Sequence, residues 1–400
     1  MCRRRCFCIA RVLVLVYIHS DYVRVRPALK ILQISSADSL GGGERHLVDL
    51  VHGLVSRGHE VQVAVRPNSP LIDQLLPDKV QISTLPLRNA LDVSSARSLA
   101  RLVRRHDIQI VHAHMARDYP LASYAVRENK QARLIVTRHV LFPLNRLHRI
   151  TLGKAARIIA VSNAVATQLR VDEIAAADRI SVVLNGVDAK RFENARGRFD
   201  RDQFLAAAGL PANTLLIGTV GELTPLKGQE EFLRAAAEVR KQFPASYFIV
   251  AGTDNSSDNK NRAFLEQLIK DLELTPHVRL VDWVDDLPQL YCALDVFVSA
   301  SHTESFGLAI VEAMASGTPV VATETEGALE IIQARETGLL VPVGVVAALA
   351  AAITELLEDS DKRVQLAVSA QQTVIAQFGI ERMVDETEAI YRAEIREGSS

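Results

Sequence analysis

Ser299-Ala-Ser-His-Thr-Glu304-Ser-Phe-Gly307-Leu-Ala-Ile-Val-Glu312 joins an apolar run to a helical one through a short polar loop. Asp295-Val-Phe-Val298 before it has the pattern of a buried strand, 308–315 that of a helix, and Phe306-Gly307 that of the turn between them. The first N–H groups of a helix have no intrahelical partner, and that end carries roughly half a positive charge, so it favours an anion. Glu304 lies ahead of this end and Glu312 lies within the helix. A diphosphate resting on the helix start would leave hydroxyls on one flank to Glu304 and hydroxyls on the other to Glu312. A nucleotide sugar has that layout: sugar, diphosphate, ribose. Two glutamates eight positions apart also occur on solvated helix faces.

Short aliphatic runs alternate with longer amphipathic ones from Lys30 onward: 31–34, 44–57, 61–65, 94–105 and 108–112, then 134–137, 157–161 and 180–184. A second series runs through 215–220, 247–251, 278–281, 296–299, 320–322 and 339–341. Such α/β alternation predicts two Rossmann-like parallel-sheet domains facing a central cleft. The expected divisions are an N-terminal domain over 29–190, a linker over 191–212 and a C-terminal domain over 213–375. Asn185-Gly186 and the charged stretch 191–201 mark that linker. A last helix over 376–400 has Ile380, Met383, Val384, Tyr391 and Ile395 at helical spacing.

The chain has 400 residues, 48% of them apolar, which is enough for two or three buried cores. A net charge of −1 gives no case for nucleic-acid binding by bulk electrostatics. The four cysteines, Cys2, Cys6, Cys8 and Cys292, form no disulfide framework, a usage that fits a reducing cytoplasm. Residues 1–28 carry Arg3-Arg-Arg5 ahead of Val12-Leu-Val-Leu-Val-Tyr-Ile18, which mimics a secretory signal. The apolar run is too short to span a bilayer, Arg11 breaks it and no small-x-small cleavage site follows. We read this segment as a non-structural extension, the product of an upstream start codon, whose loss the fold should survive. Cys2, Cys6 and Cys8 lack a fourth ligand for a metal at suitable spacing.

Other segments carry chemistry of their own. Gly221-Glu-Leu-Thr-Pro-Leu-Lys-Gly228 follows the first strand of the second series, where an open sheet binds ligands, and Lys227 is placed to reach a phosphate. Gly41 and Gly42 precede an amphipathic helix, where glycine lets a ligand approach the backbone, although a capped helix behind a loop reads equally well. The dinucleotide fingerprint fails at its third glycine, which argues against a nicotinamide enzyme. His112 and His114 alternate on a strand and share a face, and His139 ends the next strand. A zinc site from these three is not indicated, because no cysteine or carboxylate nearby completes a motif. Between Asn129 and Val171 there is no Asp or Glu, while Lys130, Arg133, Arg138, Arg146, Arg149, Lys154, Arg157 and Arg170 all occur. Interleaved with Leu141-Phe-Pro-Leu144, this segment suits an anionic acceptor, an acidic membrane surface or an ordinary basic rim around a cleft.

Glu304-x7-Glu312, followed by Gly317-Thr-Pro-Val-Val321, resembles the donor-site signature of retaining, nucleotide-sugar-dependent glycosyltransferases of family 4. The resemblance extends over nearly the whole chain and implies the GT-B fold, with the last helix crossing back to an acceptor-side N-terminal domain. It implies catalytic roles for Glu304, Lys227 and His139, and donor binding by Glu312, Phe306, Gly307, Leu308, Gly221, Glu222 and Trp283. Gly41, Gly42 and His114 would face the sugar and acceptor. It implies no metal or other cofactor, the nucleoside-diphosphate sugar being a substrate, and a glycan or lipid-linked acceptor in lipopolysaccharide, polysaccharide or glycolipid synthesis. The chain departs from the family at Glu222, where an arginine is expected, and at Asp282, where glycine is usual. An anion at position 222 would repel phosphate unless it is turned away or paired. A nucleotide-sugar hydrolase or epimerase using Glu304 and Glu312 as an acid/base pair, and a non-catalytic nucleotide-sugar-binding module, are the alternatives.

Overall fold

The computed structural model describes residues 27–75, 79–144, 146–282, 284 and 286–397. Trp283 and most of the N-terminal extension lie outside them.

The aliphatic runs form two wholly parallel sheets. The first contains β1 (Lys30–Ser35), β2 (Glu60–Val65), β3 (Gln81–Thr84), β4 (Ile110–Ala113), β5 (Arg133–Arg138), β6 (Arg157–Ala160) and β7 (Ile180–Val182), in the order β3-β2-β1-β4-β5-β6-β7. The second contains β8 (Leu215–Val220), β9 (Ser246–Ala251), β10 (Val278–Val281), β11 (Val296–Ser299), β12 (Val320–Thr323) and β13 (Leu339–Val341), in the order β10-β9-β8-β11-β12-β13. Helices cover the faces of each sheet, so the central strands are buried on both sides and read as continuous aliphatic runs; β11, for example, is buried throughout. In both sheets the strand order reverses beside the first strand, between β1 and β4 and between β8 and β11. The crevice at such a reversal opens at the carboxyl ends of the strands. The loops that follow β1, β4, β8 and β11 carry Gly41, His114, Glu222 and Glu304 respectively.

The span 191–212, expected as linker, is largely helical, with helices Ala189–Arg198 and Arg201–Ala207. Asp188 and Asp200 cap them by accepting from the N–H groups of Arg191 and Gln203. Arg196 then donates to the carbonyls of Cys292 and Gly317, and Arg201 to the carbonyl of Ala293 and the carboxylate of Asp295. The charges that suggested a linker are caps and clamps that bind this stretch to the C-terminal domain.

The last helix, Ile380–Glu397, crosses to the N-terminal domain. Met383, Val384 and Tyr391 join the core cluster of β1 and helix Gly42–Ser56. The two helices touch so closely that a Cβ on Gly53 would lie 2.5 Å from Val384 Cγ2. Where the chain returns, residue 187 bridges to Gly379, and a Cβ on Gly186 would stand 2.7 Å from the Gly379 carbonyl oxygen.

Candidate active site

Gly307 adopts φ +105°, a left-handed conformation that turns the loop into helix Leu308–Ala315 and leaves the helix start without a side-chain cap. Phe306 anchors the turn from beneath, buried against Phe378 with ring centroids 5.9 Å apart. Facing it across the cleft is the start of helix Gly42–Ser56; a Cβ on Gly42 would lie 3.1 Å from Leu308 Cδ1. Two helix starts, one from each domain, thus meet. Gly41 is the N-cap of its helix, and its N–H donates to Glu44 at 3.0 Å.

Glu304 Oε1 accepts from Lys227 Nζ at 2.5 Å and from Ser301 Oγ at 3.0 Å. Lys227 ends a single 3-10 turn, and its stem lies over Gly221. The next residue, Gly228, has φ +65°, and a Cβ there would fall 1.9 Å from the Ala300 carbonyl oxygen, so only glycine lets this turn dock on the end of β11. Glu222 Oε1 accepts from Asn255 Nδ2 at 3.1 Å. Its charge is felt at Glu44, whose carboxyl is raised mainly by burial.

Glu312 is buried, with both oxygens engaged. Arg45 Nη1 lies 2.5 Å from Oε1, and Tyr291 Oη donates to Oε2 at 2.8 Å. The Tyr291 phenol is held far above its ordinary value, first by burial and then by the Glu312 charge. Sequence reading missed Arg45: its partner is 267 positions away, and nothing local ties the two.

His139 and His114 come together at the ends of β5 and β4, with His139 Nε2 3.2 Å from His114 Nδ1. His114 Nε2 lies 2.8 Å from Gln33 Oε1, while His112 is held between Tyr391 Oη and Thr137 Oγ1. His46, also missed, packs its ring 4.9 Å from that of His139. Burial lowers all four histidines, His46 to about 4, so they are neutral at pH 7. His46, His114 and His139 form the one group among the described residues whose ring nitrogens could share a metal ion, within 4.8 Å of one another. The His139 carbonyl accepts from Ser305 Oγ at 2.6 Å, which sets His139 against the Glu304 loop of the other domain.

On the N-terminal side, an open hollow of about 350 Å³ lies beyond β1, β2 and β3, lined by Asp38, Arg66, Ser69 and Arg88 among others. Asp282 sits on the surface, 2.5 Å from Arg262. In the basic segment Phe142 and Ile150 are 59% and 64% exposed, which leaves apolar side chains among the cations.

The family model for glycosyl transferases group 1 matches residues 200–373, and that for glycosyltransferase family 4 matches residues 40–191. The chain belongs to this family of glycosyltransferases. It is 33% identical over 67% of its length to a D-inositol 3-phosphate glycosyltransferase of Salinispora arenicola, of which the match spans 60%. It is 29% identical to a lipopolysaccharide core biosynthesis glycosyltransferase of Rhizobium meliloti, over 86% of this chain and 94% of that one. An Anabaena protein crystallised with UDP and glucose has the same fold, with a TM-score of 0.82 and 22% identity over 91% of this chain and all of that one.

Asp49, one turn beyond Arg45, is pushed up to about 7 by burial, then by Glu312 and Asp188, against the pull of Arg191 and Arg45. The folded carboxyl therefore keeps its proton where the unfolded one, near 3.8, has lost it, and stability falls as pH rises between those values. Asp49→Asn should raise the melting temperature at about pH 8 and change it little at about pH 4, read by thermal denaturation. An equal shift at both pH values would contradict this.

Proposed function

We propose that the chain is a retaining glycosyltransferase that moves a sugar from a nucleoside diphosphate to a hydroxyl of a glycan or lipid-linked acceptor. The observation that carries the reading is the uncapped start of helix Leu308–Ala315 flanked by Glu304 and Glu312, with Lys227 beside it. The bond between the anomeric carbon and the phosphate oxygen breaks, leaving negative charge on the diphosphate and positive charge on the sugar. Donors already aimed at the leaving group lower that barrier. Lys227 and the amides of Phe306, Gly307 and Leu308 take this task. Glu304 orients the sugar hydroxyls, Glu312 accepts from the ribose and His139 meets the sugar from the opposite domain. The acceptor oxygen bonds the anomeric carbon on the face the phosphate leaves, and its proton passes to a phosphate oxygen. The Anabaena neighbour, which holds UDP and glucose, supports a nucleotide-sugar donor, and the Rhizobium relative supports an acceptor from surface glycan synthesis.

Glu222, standing where the family has arginine, favours one other reading, a module that binds nucleotide sugars without transferring them. Binding without turnover would distinguish it. The hydrolase or epimerase reading loses ground, because Glu304 is ion-paired and Glu312 is held by Arg45 and Tyr291.

Thermal shift with uridine- and guanosine-diphosphate sugars should identify the donor, since a ligand bound to the native state raises its stability. With that donor, Lys227→Ala should lower kcat by about 10²–10³-fold. Glu312→Ala should weaken donor binding, and unaltered binding and turnover in that variant would refute the assignment. We expect turnover to persist in EDTA; complete loss there would require a metal. Among the described residues no helix is long and apolar enough to cross a membrane. Peripheral contact through the basic segment is expected instead, and vesicles with anionic lipid should co-sediment more protein than neutral ones. Equal binding to both would leave the patch no such role.

A further inference from the structure

Arg45 stands in the first turn of helix Gly42–Ser56 of the N-terminal domain, yet its guanidinium meets Glu312 of the C-terminal domain, with 2.5 Å between Nη1 and Oε1. The close approach of the two helix starts, where a Cβ on Gly42 would lie 3.1 Å from Leu308 Cδ1, brings Arg45 within this reach. Glu312 is 6% exposed, and a buried charge is tolerated only with partners. A carboxylate offers about four lone-pair positions. Arg45 bonds Oε1 and Tyr291 bonds Oε2, and a carboxylate held by these partners can still accept from the paired hydroxyls of a ribose. Tyr291 belongs to the same domain as Glu312 and stays with it whatever the cleft does. Arg45 is supplied by the other domain.

We propose that Arg45 is a positioning residue of the nucleotide site: it reaches across the cleft to neutralise and orient Glu312, so that the ribose is held fully only in the closed enzyme. The inference rests on the reading of Glu312 as the ribose acceptor. It makes nucleotide binding and domain closure one event: closure completes the carboxylate's shell, and the ribose fills the positions left over. A lysine at 45 keeps the charge but not the fixed fork of donors, so it restores only part of the effect.

Calorimetric titration with uridine, guanosine and adenosine diphosphates tests it on wild type, Arg45→Met, Arg45→Lys, Glu312→Gln and the double variant Arg45→Met/Glu312→Gln, each below its own melting temperature. The nucleotide that binds wild type should bind Arg45→Met about 10–100-fold more weakly, Arg45→Lys in between, and the double variant no more weakly than Glu312→Gln alone. With the full donor, KM should rise more than kcat falls in Arg45→Met, a split that a general loss of structure would not produce. If Glu312→Gln weakens binding while Arg45→Met matches wild type, or if the two losses simply add, the inference about Arg45 is overturned and the reading of Glu312 stands. If Glu312→Gln itself binds as wild type does, the reading beneath it fails. Should Arg45→Met not fold, the comparison of Arg45→Lys with wild type decides in the same way.

Discussion

The structure depends on the meeting of two helix starts. Helices Gly42–Ser56 and Leu308–Ala315 come from different domains, begin at glycine N-caps and approach until Gly42 and Leu308 all but touch. The Gly42 start holds the Glu44 carboxylate on the Gly41 N–H, whereas the Leu308 start has no side-chain cap, and a helix start of that kind favours an anion. The charged side chains then divide by flank. Lys227 and Glu304 pair on one side, and Arg45 and Glu312 pair on the other. Each pair neutralises itself, which lets carboxylates sit in the cleft without isolated charge.

Several contacts hold the domains together around that space. Arg45 meets Glu312, Ser305 donates to the His139 carbonyl, and Glu330 accepts from the backbone N–H groups of Asn163 and Ala164 at a helix start. All are polar, and apart from the pair at buried Glu312 they are at least partly exposed, where such contacts each contribute little net stability. The C-terminal helix, by contrast, is fixed to the N-terminal domain by apolar packing and by Glu394, which meets Arg157 at 2.7 Å. The arrangement fits a cleft that opens while its chain crossing near Gly186 and Gly379 stays intact.

What the sequence made legible follows from the physics of each element. Central parallel strands are buried on both faces, so their aliphatic runs stand out; the edge strand β3, Gln-Ile-Ser-Thr, is half exposed and does not. The helices near 191–212 hid because their charged faces and Asp caps resemble a linker's composition. Glu304, Gly307, Glu312 and Lys227 were legible because turn, helix start and glycine leave local marks. Arg45 and His46 were not, because their partners come from distant strands and from the other domain, and periodicity carries no record of such pairs. Glu222 was legible as an anomaly, and in the fold its carboxylate turns to Asn255.

The central claim is a place for the phosphates. A crystal structure with an intact nucleoside-diphosphate sugar tests it most directly. The account predicts the diphosphate at hydrogen-bond distance, about 3 Å, from the amides of Gly307 and Leu308, with the sugar on the Glu304 side and the ribose on Glu312. A nucleotide bound elsewhere, or one whose diphosphate turns away from both helix starts, would contradict it.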